Sequence, residues 1–172
     1  NYPGSSTFNT SSILKAIAYA SSFPEVKVIN LSLGATVSNQ AEQDAITDIV
    51  DQNKIVVVAS VGNNSADAIH FPAGYSGVLG ASAYSKTDFA YFSNYGFGVD
   101  LAAPGDDIYT AKPSNSYVFN EGTSFAATMI GALGFLYAQK HPEYSALQIV
   151  EILKNFTKPP FGQSNIAPEW WN

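Results

Sequence analysis

The run Ile55-Val56-Val57-Val58-Ala59 constrains this chain more than any other stretch. Four consecutive β-branched residues leave no polar position for solvent, so the strand they form is covered on both faces. Five residues make a strand and are far too few to cross a bilayer. A strand of this kind belongs to a parallel sheet with helices packed on it, which makes the class α/β. The neighbouring segments agree. Ser11 or Ser12 can cap a helix from about Ile13 to Ser21, with Ile13, Leu14, Ile17 and Ala18 on one face. Lys27 to Leu33 reads as a strand. Ala41 to Gln52 reads as an amphipathic helix, with Ala45, Ile46, Ile49 and Val50 inward and Glu42, Asp44, Asp48 and Asp51 outward. Strand, helix, strand in this order implies a right-handed crossover between parallel strands.

Gly77 to Ala83 is a further apolar strand. Between Phe89 and Phe119 the pattern breaks into short strands and turns punctuated by Gly96, Gly98, Pro104-Gly105 and Pro113. Helical periodicity returns after Gly122, where Phe125, Ala126, Met129, Ile130, Leu133, Leu136 and Tyr137 form one broad face ending at His141-Pro142. Gly131 and Gly134 each cost that helix about 1 kcal/mol against Ala, which implies close packing at both positions. Ser145 to Phe156 is a last helix. Residues 1–172 thus read as a single domain, with 158–172 an irregular tail containing Pro159-Pro160 and Trp170-Trp171.

Composition excludes several functions. Eight Lys, no Arg and 14 acidic residues leave a net charge of −6. That balance is a poor match for nucleic acid. No cysteine is present, and only two histidines. Disulfides and thiolate metal sites are therefore excluded, and two histidines do not make a catalytic zinc site. Charged residues are only 13% and apolar ones 46%. Such a balance excludes a disordered segment or a coiled coil. Asn1 is not followed by a basic and then an apolar stretch, so no secretory leader is expected, and a start other than Met suggests a processed product. Low charge and 10 Tyr suit an extracellular protein.

In open parallel sheets ligands bind beyond the carboxyl ends of the strands, here Ser32-Leu33-Gly34 and Ser60-Val61-Gly62-Asn63. Gly62-Asn63-Asn64 can be a simple polar turn, or it can aim an amide at an oxyanion. Gly122-Thr123-Ser124 can simply cap the long helix, or it can present a hydroxyl where the helix N-terminus favours developing negative charge. A serine needs a general base to react, so Ser124 decides nothing alone.

Taken together and in order, these segments resemble the subtilisin-like serine proteases. Val28 to Gly34 resembles the family's substrate-binding strand, and Val56 to Asn63 its oxyanion-asparagine strand. Phe71-Pro72-Ala73-Gly74-Tyr75 with Val78-Leu79-Gly80-Ala81, and then Phe92-Ser93-Asn94-Tyr95-Gly96 with Asp100-Leu101-Ala102-Ala103-Pro104-Gly105, resemble the stretches leading to the nucleophile. Gly122-Thr123-Ser124-Phe125-Ala126 resembles the nucleophile motif itself. The resemblance covers about residues 12 to 155. It implies a parallel-sheet, three-layer fold of which this chain is the C-terminal portion. It also implies a serine endopeptidase acting through an acyl-enzyme on Ser124, with Asn63 and the Ser124 N–H at the oxyanion. Ser32, Leu33 and Gly34 would pair with a polypeptide substrate, and Ser60, Val61 and Gly62 would form the opposite wall, with room beside the glycines for a large apolar side chain. Some relatives have a weak cation site to which the carbonyls of Ala73, Tyr75 and Val78 with Asp100 would correspond. Calcium suits such oxygens, but no cofactor is required.

The family's Asp-Ser/Thr-Gly and His-Gly-Thr motifs are missing. None of the eight Asp is followed by Ser or Thr, while His70 precedes Phe71 and His141 precedes Pro142. His70 reads as a solvated or a turn residue and His141 as a helix terminator. Thr128 and Met129 stand where the family usually has Pro-His. The triad's Asp and His are expected from an N-terminal polypeptide, left by internal cleavage or expressed apart, docked on the open sheet edge. A propeptide or inhibitor is a further possible partner. The alternative is a pseudoprotease that keeps the cleft as a peptide-binding or scaffold protein.

Overall fold

The computed structural model describes residues 8–52, 54–86 and 88–156; the tail expected over 158–172 lies outside them. Its element order is α1 (Thr10–Ser21), β1 (Val28–Leu31), α2 (Gln40–Asp51), β2 (Val56–Ser60), β3 (Val78–Tyr84), β4 (Leu101–Pro104), β5 (Ile108–Lys112), β6 (Ser116–Asn120), α3 (Thr123–Lys140) and α4 (Ala146–Phe156).

Strands β1 to β4 form one parallel sheet in sequence order, in registers such as Val28↔Val56, Val58↔Leu79 and Ala83↔Ala103. Every residue of β2 is buried, as its valines require, so both faces of the sheet are covered there. Each fully buried valine contributes about 1.5–3 kcal/mol, which makes this strand the centre of the core. Strands β5 and β6 form a separate antiparallel hairpin. Its turn uses left-handed backbone at Ser114 and Asn115. With Lys112 paired to Ser116, three residues, Pro113 to Asn115, form the loop, and a residue of positive φ leads into β6.

One helix cap differs from the expected one. Asn9, not Ser11 or Ser12, caps α1: its Oδ1 accepts from the Ser12 N–H at 2.8 Å. Asn39 caps α2 in the same way, accepting from the Glu42 N–H at 3.1 Å. Glu42, expected outward, is only 7% exposed. Its place on the polar side of the helical wheel does not keep it in water, because the segment containing Tyr75 covers it.

Helix α3 packs on the sheet through small residues. Ala126, Ala127, Ile130, Gly131, Gly134 and Ala138 are buried, whereas Met129, Leu133 and Leu136, expected inward, are exposed. This helix is apolar all round, so periodicity does not select its inner face; close approach does. A Cβ on Gly134 would meet Val56 and Val28, and one on Gly131 would meet Asn30 and Val28. The helix starts at Gly122, whose N–H donates to the Gly105 carbonyl at 2.8 Å.

A Cβ on Gly105 would stand 2.5 Å from Ala83 Cβ and 2.9 Å from the Gly122 carbonyl oxygen. Gly105→Ala is therefore expected to destabilise the fold by about 1–3 kcal/mol and to displace the start of α3. Urea unfolding measures the first effect, and an unchanged midpoint would contradict it.

Candidate active site

The residues singled out in the sequence meet at the carboxyl ends of β1 and β2, under the first turn of α3. Ser32 Oγ donates to the Ser124 carbonyl at 2.9 Å, and Asn30 Nδ2 donates to Ser32 Oγ at 2.9 Å. Thr128, with a hydroxyl where the family usually has proline, also donates to the Ser124 carbonyl at 2.9 Å. Helix α3 runs unbroken through it.

Thr123 fixes the orientation of Asn63. Its backbone N–H and its hydroxyl both donate to Asn63 Oδ1, at 2.9 and 2.8 Å. A backbone N–H can only donate, so the atom facing it is the amide oxygen, and Nδ2 points elsewhere. A Cβ built on Gly122 would lie 3.5 Å from Asn63 Nδ2 and 3.8 Å from the Ser124 nitrogen. The two N–H donors therefore border one small space, left open by the glycine. The positive φ of Gly122 also favours glycine there. The Ser124 N–H lies in the first turn of α3, where no carbonyl four residues back is available within the helix. Both donors are free to meet an incoming oxygen, with the positive end of α3 behind them.

Ser124 Oγ approaches the Ser32 carbonyl at 3.5 Å, and no histidine or carboxylate bonds to it among the described residues. His141 caps the opposite end of the 18-residue α3. There its ring stacks on Tyr144 at 4.9 Å and its Nδ1 is 3.1 Å from Glu143 Oε1. It terminates the helix as expected.

His70 differs from its expected role as a solvated residue. Its N–H donates to the Val61 carbonyl at 3.0 Å, while the next residue pairs with Ala35 on the other wall. Its half-buried ring lies between the walls: a Cβ on Gly62 would come 2.9 Å from His70 Nδ1, and one on Gly34 would come 3.0 Å from His70 Cβ. The room expected there for a large apolar side chain is partly filled by this imidazole.

Asn94 is a positioning residue whose role the sequence did not disclose, although it lies in a segment that resembles the family. It is fully buried. Its Oδ1 accepts from the N–H groups of Asn64 (2.8 Å) and Ala66 (3.3 Å), and its Nδ2 donates to the Val61 carbonyl at 3.2 Å. Its backbone N–H donates to the Gly62 carbonyl at 3.0 Å. One side chain thus pins the turn that presents Asn63.

The oxygens considered for calcium do not fit a cation. Lys154 Nζ is 2.9 Å from Asp100 Oδ1, and the Gly80 N–H donates to Asp100 Oδ2 at 2.8 Å. A fixed ammonium already occupies the carboxylate, and burial pushes the Asp100 carboxyl above its ordinary range despite these partners. Among the described residues no cluster of three or more His, Asp or Glu side chains could hold a metal, and no helix is long and apolar enough to cross a membrane. Burial also raises the Glu42 carboxyl, with only partial relief from the Tyr75 hydroxyl.

The model of the subtilase family matches residues 2–166. Subtilisin Savinase of Lederbergia lenta is 33% identical over 159 residues, which are 92% of this chain and 58% of that protein. A cold-adapted subtilisin-like serine proteinase superposes with a TM-score of 0.83 at 26% identity, covering 92% of this chain and 59% of the other. The prenylagaramide maturation protease PagA gives 0.78 at 26% identity, covering 92% and 62%. The chain spans about half the length of the curated relatives it matches.

Asn94→Ala leaves the Val61 carbonyl and the Asn64 and Ala66 N–H groups without their partner, each at a cost of about 1–3 kcal/mol if still buried. Marked loss of stability in urea is expected, and a midpoint equal to the parent's would contradict this account. Glu42 provides a pH test. Its folded pKa lies above the unfolded value, so the ionised carboxylate lowers stability at neutral pH, and this cost is relieved as pH falls through the folded pKa. Glu42→Gln should raise Tm at pH 8, with the gain fading toward about pH 4. A gain independent of pH would show that burial of the charge is not its source.

Proposed function

The chain belongs to the subtilase family, and from that premise we propose that it is the nucleophile-bearing part of a serine endopeptidase. Ser124 Oγ attacks the carbonyl carbon of a peptide bond. The oxygen that becomes negative accepts hydrogen bonds from the Ser124 N–H and from Asn63 Nδ2. The amine leaves with a proton, and water then releases the acyl group from Ser124. The substrate lies as an added strand along Ser32, Leu33 and Gly34, facing Ser60, Val61 and Gly62. A propeptide or inhibitor would use the same wall. The chemistry draws on no cofactor, because neutral N–H donors stabilise the charge. The observation that most supports this reading is the pair of N–H donors bordering one space beside Ser124.

The general base comes from outside these 172 residues. An Asp–His pair on further polypeptide, in the same chain or a separate one, completes the triad. Two surfaces support such a partner: the outer edge of β1, which has no strand beside it among the described residues, and the exposed Met129, Leu133 and Leu136 of α3. The low charge suits work outside the cell.

A fluorophosphonate probe should label Ser124 in the assembly that contains the Asp and His, and not in Ser124→Ala. Asn63→Ala should lower kcat by about 10²–10³ with little change in KM, a magnitude taken from the equivalent donor in a subtilisin. A complete assembly whose Ser124 stays unlabelled would remove the hydrolase reading and leave a peptide-binding protein.

A further inference from the structure

Helix α3 starts without the side chain that usually holds a helix start. Its capping residue is Gly122, which has nothing to bond the first N–H groups. Asn63 Oδ1 takes the Thr123 N–H, and the Phe125 N–H donates to the Gly122 carbonyl at 3.1 Å. The Ser124 N–H between them is left for an incoming oxygen. A capping serine or aspartate accepts from the second or third N–H of the turn, and the second here is that of Ser124. Such a cap would compete with the oxygen. A turn that must keep this donor unbonded has to be held by other atoms.

It is held by a carbonyl. Ser32 Oγ and Thr128 Oγ1 both donate to the Ser124 carbonyl oxygen, each at 2.9 Å. A carbonyl only accepts, so each hydroxyl directs its one proton there. This also settles Asn30, which must turn its NH2 toward Ser32 Oγ, 2.9 Å away. Ser32 stands just past β1 and Thr128 one turn further along α3, so the carbonyl is gripped from the sheet and from the helix. A helical threonine that bonds back four residues normally weakens its helix slightly. Here that bond falls on the carbonyl of Ser124 itself, at the position where proline would offer neither a hydroxyl nor an N–H.

We propose that Thr128 is a positioning residue for Ser124: with Ser32 it fastens the first turn of α3 through the Ser124 carbonyl, leaving the hydroxyl and N–H of that residue in place and free to react. The consequence for turnover rests on the function proposed above. Carbonyl, N–H and Oγ flank one Cα, so a shift of the carbonyl carries the other two with it. The glycine just before them adds freedom to the turn. A displacement of about 1 Å at a reacting group can cost about 10²-fold in rate. Both hydroxyls are exposed in this chain, and a polypeptide covering α3 would remove the water that competes for them. Ser32 belongs to the peptide-pairing segment and Thr128 does not, which makes Thr128 the cleaner probe.

The test compares Thr128→Val, which keeps the shape and removes the hydroxyl, with Thr128→Ser, which keeps the hydroxyl. Both are made in the full-length assembly that contains the Asp and His, and circular dichroism melts show that each is folded. Thr128→Val should slow fluorophosphonate labelling of Ser124 and lower kcat by about five- to tenfold, the size of one hydrogen bond, with KM unchanged. Thr128→Ser should stay within about twofold of the parent. A change in KM alone, equal slowing in both variants, or no slowing in Thr128→Val overturns the positioning role. Amide hydrogen exchange gives a readout that needs no turnover. The N–H of residue 128 faces the Ser124 carbonyl in the helix ladder. Its protection should fall about five- to tenfold in Thr128→Val and not in Thr128→Ser, while Ile130 to Tyr137 keep theirs. Slowed labelling with unchanged protection overturns the anchoring through the carbonyl. An unlabelled parent overturns the hydrolase reading, and exchange then decides alone: protection lost only in the first turn of Thr128→Val upholds the anchor, and unchanged protection overturns it.

Discussion

The grip of Thr123 on Asn63 Oδ1 is the contact on which the candidate site depends, because it joins groups 60 residues apart in sequence. One end belongs to the loop leaving β2 and the other to the first turn of α3. Neither can be placed by local sequence preference. The β2 loop is where it is because β2 is buried at the centre of the sheet and Asn94 holds the following turn. The start of α3 is where it is because small residues let the helix lie close on the sheet, and because Gly105 admits the Gly122 carbonyl at short range. The two donors are therefore set in advance, before any ligand arrives, and electrostatic stabilisation of a developing charge requires this arrangement.

Much of this architecture was legible in the residues. The valine run gave a strand buried on both faces and hence a parallel sheet with helices. The position of the site followed from the rule that ligands sit beyond the carboxyl ends of such strands. The pairing of Ser124 with Asn63 came from the ordered resemblance of several segments, since each segment alone also reads as an ordinary turn or cap. Asn9 and Asn39 are legible as caps too, because both immediately precede the helices they cap, although Ser11 and Ser12 satisfy the same preference beside Asn9.

What the sequence concealed are features decided by distant partners. Glu42 sits on the polar side of α2, and only the approach of Tyr75 buries it. His70 reads as a loop residue until its own chain threads between Val61 and Ala35. Asn94 looks like any turn asparagine until its amide is seen bridging both sides of the Gly62 turn. The exposed face of α3 was hidden for a different reason. When alanine, glycine, leucine and methionine surround a helix, periodicity gives no direction, and the choice falls to whichever face allows closest packing.

The two parts of a serine protease's chemistry differ in how much protein they need. In the proposed site the oxyanion donors are neutral amides whose positions follow from a loop, a helix start and one buried asparagine. Proton transfer is more demanding, since a base must stand within hydrogen-bond reach of Ser124 Oγ and be held there by a third group. The hydroxyl now faces only the Ser32 carbonyl among the described residues, at 3.5 Å. A contact of that length is too long to hold it strongly. A histidine brought to it therefore competes with little. Oxyanion and binding contributions alone leave about 10³–10⁴-fold acceleration over water in triad-deficient serine proteases. The remainder must come with the base. A surface that is apolar on α3 and unpaired along β1 offers the means to position it, because the contacts that cover Met129, Leu133 and Leu136 would also order the segment that brings the histidine.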